Sequence, residues 1–212
     1  MTTAEPPDGR GRLRRRARRL EWVTVGWNVG EFGITLALGL AARSLALVAY
    51  GLESCVEVFA SVVVVWHLRD QGSALRTRRA MGLVAVAFFG LAALLAAGAV
   101  RSLVLGTRPD DSPLGVAYLA TAVVAMVLLA RAKGRVGRDL ADHPLEHEAR
   151  ITYLDAALAG GILLALVLDA RLGWWWTDPL AALAVAALAV PEGVDAWRDH
   201  RPTGRSGNER AT

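Results

Sequence analysis

Two glutamates four residues apart interrupt an otherwise apolar run, Tyr50-Gly51-Leu52-Glu53-Ser54-Cys55-Val56-Glu57. On a helix that spacing stacks both carboxylates on one face, one turn apart, where like charges repel unless a cation or a proton lies between them. Asp155 stands in a second apolar stretch, with Ile151 and His147 four and eight residues before it on the same stripe. A third stretch carries Asn28 and Glu31, three apart and so roughly cofacial. Carboxylates and an amide are hard oxygen donors, a set that holds a divalent cation with no thiolate. Each group also has a plainer reading. The glutamates read equally as protonated groups bonded to neighbouring helices, Asp155 as a solvated residue near a helix end, and Asn28 with Glu31 as a tie between helices. His147, with His143, Glu146 and Glu148, reads either as a loading point for metal or as the solvated start of a helix. Enzyme chemistry lacks its residues: there is no nucleophile-base set, phosphate-binding glycine loop or zincin motif. A single cysteine, Cys55, excludes an intrachain disulfide and a thiolate cluster. Neither an enzyme activity nor a cofactor is expected, and a metal ion enters this reading only as cargo.

The elements that must position these groups follow from the apolar blocks. The 212 residues are 54% hydrophobic beside 21% charged, and mean hydropathy is +0.35, above the range of an ordinary soluble domain. Apolar blocks recur at about residues 22–42, 44–66, 81–100, 114–130, 150–170 and 177–197. Each is long enough to cross a bilayer as a helix, and runs such as Val62 to Val65 are apolar on every face, which excludes an alternating β-barrel pattern. The predicted fold is an all-α membrane protein, a bundle of six transmembrane helices over residues 22–198. Residues 1–21 form a basic tail and residues 199–212 a polar one, both expected to be disordered.

Charge sets the orientation. Twenty Lys and Arg residues lie on the side of the two termini and four, Arg43, Arg101, Arg108 and Arg171, on the other, so both termini are expected in the cytosol. Trp174, Trp175 and Trp176 then mark the outer surface, and Trp22, Trp66 and Trp197 the inner one. The pI near 10 does not imply nucleic acid, because the basic residues sit in loops. The partner is membrane lipid, and the expected location is the cell membrane as a multi-pass protein. Asn28 and Glu31 argue against a cleaved signal peptide.

In this frame the acids are deep. Glu53 and Glu57 bracket the middle of the second span. A fifth helix opening at Asp142-His143-Pro144 would carry Asp155 roughly 16 Å inward, near midplane. An acid at that depth costs about 2.5–3.5 kcal/mol on insertion scales, which makes these residues functional candidates. Gly26 with Gly30, Ala156 with Gly160 and Ala157 with Gly161 have the spacing of close helix contacts, and Asp178-Pro179 is expected to cap the sixth helix.

Six spans with cytoplasmic termini, Glu53-Ser54-x-x-Glu57 in the second, an aspartate early in the fifth, and the stretch from Trp174 to Pro179 together resemble the cation diffusion facilitator family. The resemblance runs over about residues 22–198 and implies a dimeric, proton-coupled exporter of Zn²⁺ or related ions. It implies that Glu53, Glu57 and Asp155 are three of four metal ligands. Where the family places a histidine in the fifth span, this chain has Ile151. Glu31, Asn28 or water would complete the shell and shift preference toward harder ions such as Mn²⁺ or Fe²⁺. The soluble domain that follows the sixth span in the family is expected to be missing here, as in a short branch of the family whose homodimer would form through the membrane part. The leading expectation is a secondary transporter of divalent cations with protons as counter-ion. The alternatives are a proton-coupled exporter of organic cations and a membrane scaffold that transports nothing.

Overall fold

In the structure, a computed structural model, residues 7–69, 74–141 and 143–200 are described, and every element among them is a helix. The six are α1 (Pro7–Ala42), α2 (Leu45–Arg69), α3 (Ala74–Leu105), α4 (Pro113–Leu140), α5 (His143–Leu172) and α6 (Thr177–His200). Their order and placement match the six apolar blocks. Five of the six, α1 and α3 to α6, are by length and composition able to cross a membrane. α2 packs among them, against α1, α3, α5 and α6. The molecule is an all-α membrane bundle.

The helices run past the apolar blocks at most ends because local stop signals, not hydropathy, end them. α3 ends before Gly106 and α5 before Gly173, both at positive φ. α4 starts behind Ser112, whose Oγ accepts the Gly115 N–H, with Pro113 in its first turn. It ends at Ala141, in the left-handed conformation, whose N–H turns back to Arg138 and Gly137.

The N-terminal region departs from expectation. The arginine-rich stretch predicted to be disordered continues α1 back to Pro7. Arginine and alanine are good helix formers, and proline is tolerated at a first turn, so nothing in the stretch breaks a helix already nucleated by the span that follows. Asp199 and His200 likewise belong to α6. The remaining tail residues expected to be disordered, 1–6 and 201–212, lie outside the described residues.

The most extensive pairings are α3 with α6, α4 with α5, and α1 with α2. The core is built of alanines and a few large side chains, among them Leu47, Tyr50, Phe88, Leu95, Leu119, Ile162 and Val185. Large apolar side chains such as Leu94, Val124, Leu154 and Leu188 are exposed, as a lipid-facing surface requires.

Two contacts fix α2, the helix that carries the paired glutamates. α1 lies close against it at Gly51, where a Cβ would stand 2.7 Å from Thr35 Oγ1 and 3.0 Å from the Leu36 nitrogen. Its N-terminal end is held by Asp178 of α6, which accepts from Ser44 Oγ at 2.5 Å and from the Leu45 N–H at 2.8 Å. Asp178 was expected to cap its own helix, but it satisfies the first N–H groups of α2 instead. The pair of residues is 134 apart in sequence, so no local pattern announces it. Gly26 and Gly30, expected at a helix contact, have nothing within 4 Å of an added Cβ and make no such contact among the described residues.

Candidate metal centre

α2 runs on from its anchored N-terminal end, and the four-residue spacing places Glu53 and Glu57 on one face. α5 runs the opposite way and brings Asp155 to that face. Glu53, Glu57 and Asp155 each offer a carboxylate oxygen, and the three atoms lie within 4.8 Å of one another. Oxygens on opposite sides of a small divalent ion at about 2.1 Å are about 4.2 Å apart, so minor rotamer changes would bring all three onto one ion. The three side chains are partly buried, and among the described residues no histidine or cysteine joins them.

The other residues singled out in the sequence occupy different positions. Asn28 reaches the cluster from α1, its amide Nδ2 donating to Glu57 Oε2 at 3.4 Å. Glu31 does not join the three. It is 2% exposed, and both its oxygens are already engaged. Oε1 accepts from Trp27 Nε1 at 3.2 Å and from the Tyr50 hydroxyl at 3.0 Å, while Oε2 accepts from Ser54 Oγ at 3.1 Å. Ser54 and Tyr50 flank Glu53 on α2, so the carboxylate of Glu31 locks the glutamate-bearing segment against α1. His147 is on α5 two turns before Asp155, but its side chain lies outside the described residues. Ile151, where the resemblance places a histidine, is 40% exposed.

Two charged residues that the sequence reading passed over stand near the cluster. Glu192 of α6 is within electrostatic reach of all three carboxylates. It is an acid inside the sixth apolar block, and the cost argument applied to the other spans would have singled it out. Lys133 of α4 is fully buried, with Nζ 3.1 Å from Glu148 Oε2. Its position at the end of the fourth block made it look like one more loop charge.

The arrangement is thus a partly buried cluster of three carboxylates between two antiparallel helices, with the hydrogen-bonded carboxylate of Glu31 bracing the α2 segment that carries two of them. Residues 81–201 match the family model for the Cation efflux transmembrane domain. The chain belongs to the cation efflux, or cation diffusion facilitator, family. The stretch matched to the cation efflux family takes in α6, most of α3, and all of α4 and α5, so it includes Asp155 but begins after Glu53 and Glu57. A protein named Uncharacterized transporter sll1263, from Synechocystis sp., is 25% identical over 195 residues, which is 87% of this chain. The chain spans 63% of the length of that relative.

Proposed function

We propose that this cation efflux protein is a secondary transporter that moves divalent metal cations out of the cytosol, with protons as counter-ion. The observation that carries the proposal is the convergence of Glu53, Glu57 and Asp155 from two helices onto one 4.8 Å cluster. Three carboxylates that close together are a poor arrangement for anything but sharing a cation or protons. When the ion leaves, protons return to the vacated carboxylates, and the bundle reorients about a site near the membrane midplane. Asn28 orients Glu57, and Glu31 holds the wall of the site without binding the ion. An all-oxygen set with Ile151 in place of an imidazole favours Mn²⁺ or Fe²⁺ over Zn²⁺. The protein acts in the cell membrane with both termini in the cytosol, as a homodimer joined through its helices.

The test is uptake of Mn²⁺ into proteoliposomes loaded with a metal-sensitive dye and a pH-sensitive one. Wild type should move Mn²⁺ and protons in opposite directions. Glu53→Gln and Glu57→Gln keep side-chain size and remove charge, so transport should collapse while expression and melting behaviour survive. Wild-type transport rates in both variants would place the site elsewhere.

A further inference from the structure

Glu192 interrupts the sixth apolar block, and two hydrogen bonds fix its level in the bundle. Asp178, near the start of α6, accepts from the N–H of Leu45, the first residue of α2. The two helices start together at that junction and pack against each other, so position along both can be counted from it at about 1.5 Å per residue. Glu53 is eight residues beyond Leu45 and Glu57 twelve, which puts them about 12 and 18 Å along. α5 gives an independent check. Thr177 Oγ1 lies 3.0 Å from the Ala165 carbonyl oxygen. Asp155, ten residues before Ala165 on the returning helix, is therefore about 15 Å along, between the two glutamates it meets. On the same scale Glu192, fourteen residues beyond Asp178, is about 21 Å along, one step past the cluster toward the C-terminal end of α6.

Its face follows from the same count. Asp178, Val185 and Glu192 succeed one another at intervals of seven, nearly two turns, so Glu192 shares the stripe by which Asp178 reaches α2. That stripe is buried at Asp178 and Val185 and again at Ala196, yet Glu192 is exposed. The packed face of α6 therefore opens at the level of Glu192, and because a carboxylate is costly against lipid tails the opening is to water. Glu53, Glu57 and Asp155 all feel the charge of Glu192. Asp195, nearly one turn further on, is the contrast, an exposed acid paired with Arg198 at 3.0 Å.

We propose that Glu192 is the collecting residue of the transport site, a carboxylate at its cytosolic mouth that draws in the hydrated divalent ion and hands it to Glu53, Glu57 and Asp155 without itself becoming a ligand. The inference rests on the reading of those three residues as the cation site and of the chain termini as cytosolic. A negative charge in a solvent-filled opening raises the local concentration of cations and so speeds association. An ion leaving by the same mouth passes the same charge, so release changes little.

The experiment is stopped-flow mixing of Mn²⁺ with the purified full chain in detergent, with a metal-indicator dye reporting free Mn²⁺. Loss of free ion on mixing gives the association rate, and transfer from loaded protein to excess dye gives the dissociation rate. At low ionic strength Glu192→Gln should slow association about three- to tenfold and leave dissociation within about twofold of wild type. Glu192→Asp keeps the charge and should associate as wild type does. At about 1 M salt, where screening acts within about 3 Å, the deficit of Glu192→Gln should shrink to less than about twofold. Asp195→Asn removes an exposed acid from outside the stripe and should leave both rates near wild type. A merely structural Glu192 would instead lower melting temperature and binding capacity, with no salt dependence in the rate. Unchanged association in Glu192→Gln overturns the proposal, as does an equal slowing in Asp195→Asn. Faster dissociation with unchanged association overturns it too, because Glu192 would then be a ligand. Should Glu192→Gln not fold, Glu192→Ala reads the same two rates. Glu53→Gln is the control. If it abolishes Mn²⁺ binding and Glu192→Gln changes nothing, the collecting role alone falls; if it leaves binding intact, the site reading falls and the collecting role with it.

Discussion

Substituting Glu31 separates a residue that builds the site from one that binds the ion, and the hydrogen bonds set the expected magnitudes. In Glu31→Gln the amide oxygen can take the place of Oε1 and keep the bonds from Trp27 at 3.2 Å and Tyr50 at 3.0 Å. The amide nitrogen then faces Ser54 Oγ, where a carboxylate oxygen had accepted a bond of 3.1 Å. A serine hydroxyl both donates and accepts. Ser54 can receive the new N–H and donate its own proton to the Tyr50 carbonyl, already 3.2 Å away. The three former partners stay satisfied and only the second amide N–H lacks a named acceptor, so the stability cost should be about 1 kcal/mol, below that of removing the acceptors altogether, and Mn²⁺ affinity should hold within about tenfold. Glu31→Leu offers no acceptor. Among the described residues the Tyr50 hydroxyl keeps the weak sulfur acceptor of Met126 alone, and the Trp27 N–H loses the carboxylate it donates to. The cost should be about 1–3 kcal/mol. Thermal unfolding in detergent and Mn²⁺ titration on the same preparations give both quantities. The reasoning is refuted if Glu31→Gln unfolds as easily as Glu31→Leu. It is refuted too if Glu31→Gln folds normally but loses Mn²⁺ as Glu53→Gln does, because Glu31 would then be a ligand.

Ile151→His should raise Zn²⁺ affinity relative to Mn²⁺, measured by competition titration, since it returns an imidazole one turn before Asp155; unchanged binding of both ions would mean that Ile151 does not line the site. Asp178→Ala should cost about 1–3 kcal/mol in thermal unfolding by stripping acceptors from Ser44 and the first N–H groups of α2. Unchanged melting would show that α2 is not held from α6.

The helices were legible in the sequence because lipid imposes a simple rule: about twenty apolar residues between charged stretches. Their ends were less so, since glycines at positive φ and a serine cap, not the edge of the apolar run, decide where each one stops. The arginine stretch before the first span has the composition of a solvated tail and also of a good helix, and continuity with α1 decided in favour of helix. Spacing and depth singled out Glu53, Glu57 and Asp155 one helix at a time, and the family resemblance implied that they meet; the structure brings them within 4.8 Å. The role of Glu31 was not, because its donors Tyr50 and Ser54 lie on another helix, 19 and 23 residues away. Asp178 was read as a local cap for the same reason. Lys133 was hidden by its place beside topological arginines, where only three dimensions distinguish a buried lysine from a loop charge.

The central claim is that one divalent ion is shared by carboxylates from α2 and α5. Crystals of the full chain grown with Mn²⁺, measured at a wavelength where manganese scatters anomalously, locate the ion directly. The account predicts an anomalous peak among Glu53, Glu57 and Asp155, about 2.2 Å from an oxygen of each, with Glu31 still bound to Tyr50 and Ser54. A peak outside this cluster, or an ion ligated by Glu31 in place of Asp155, would contradict it.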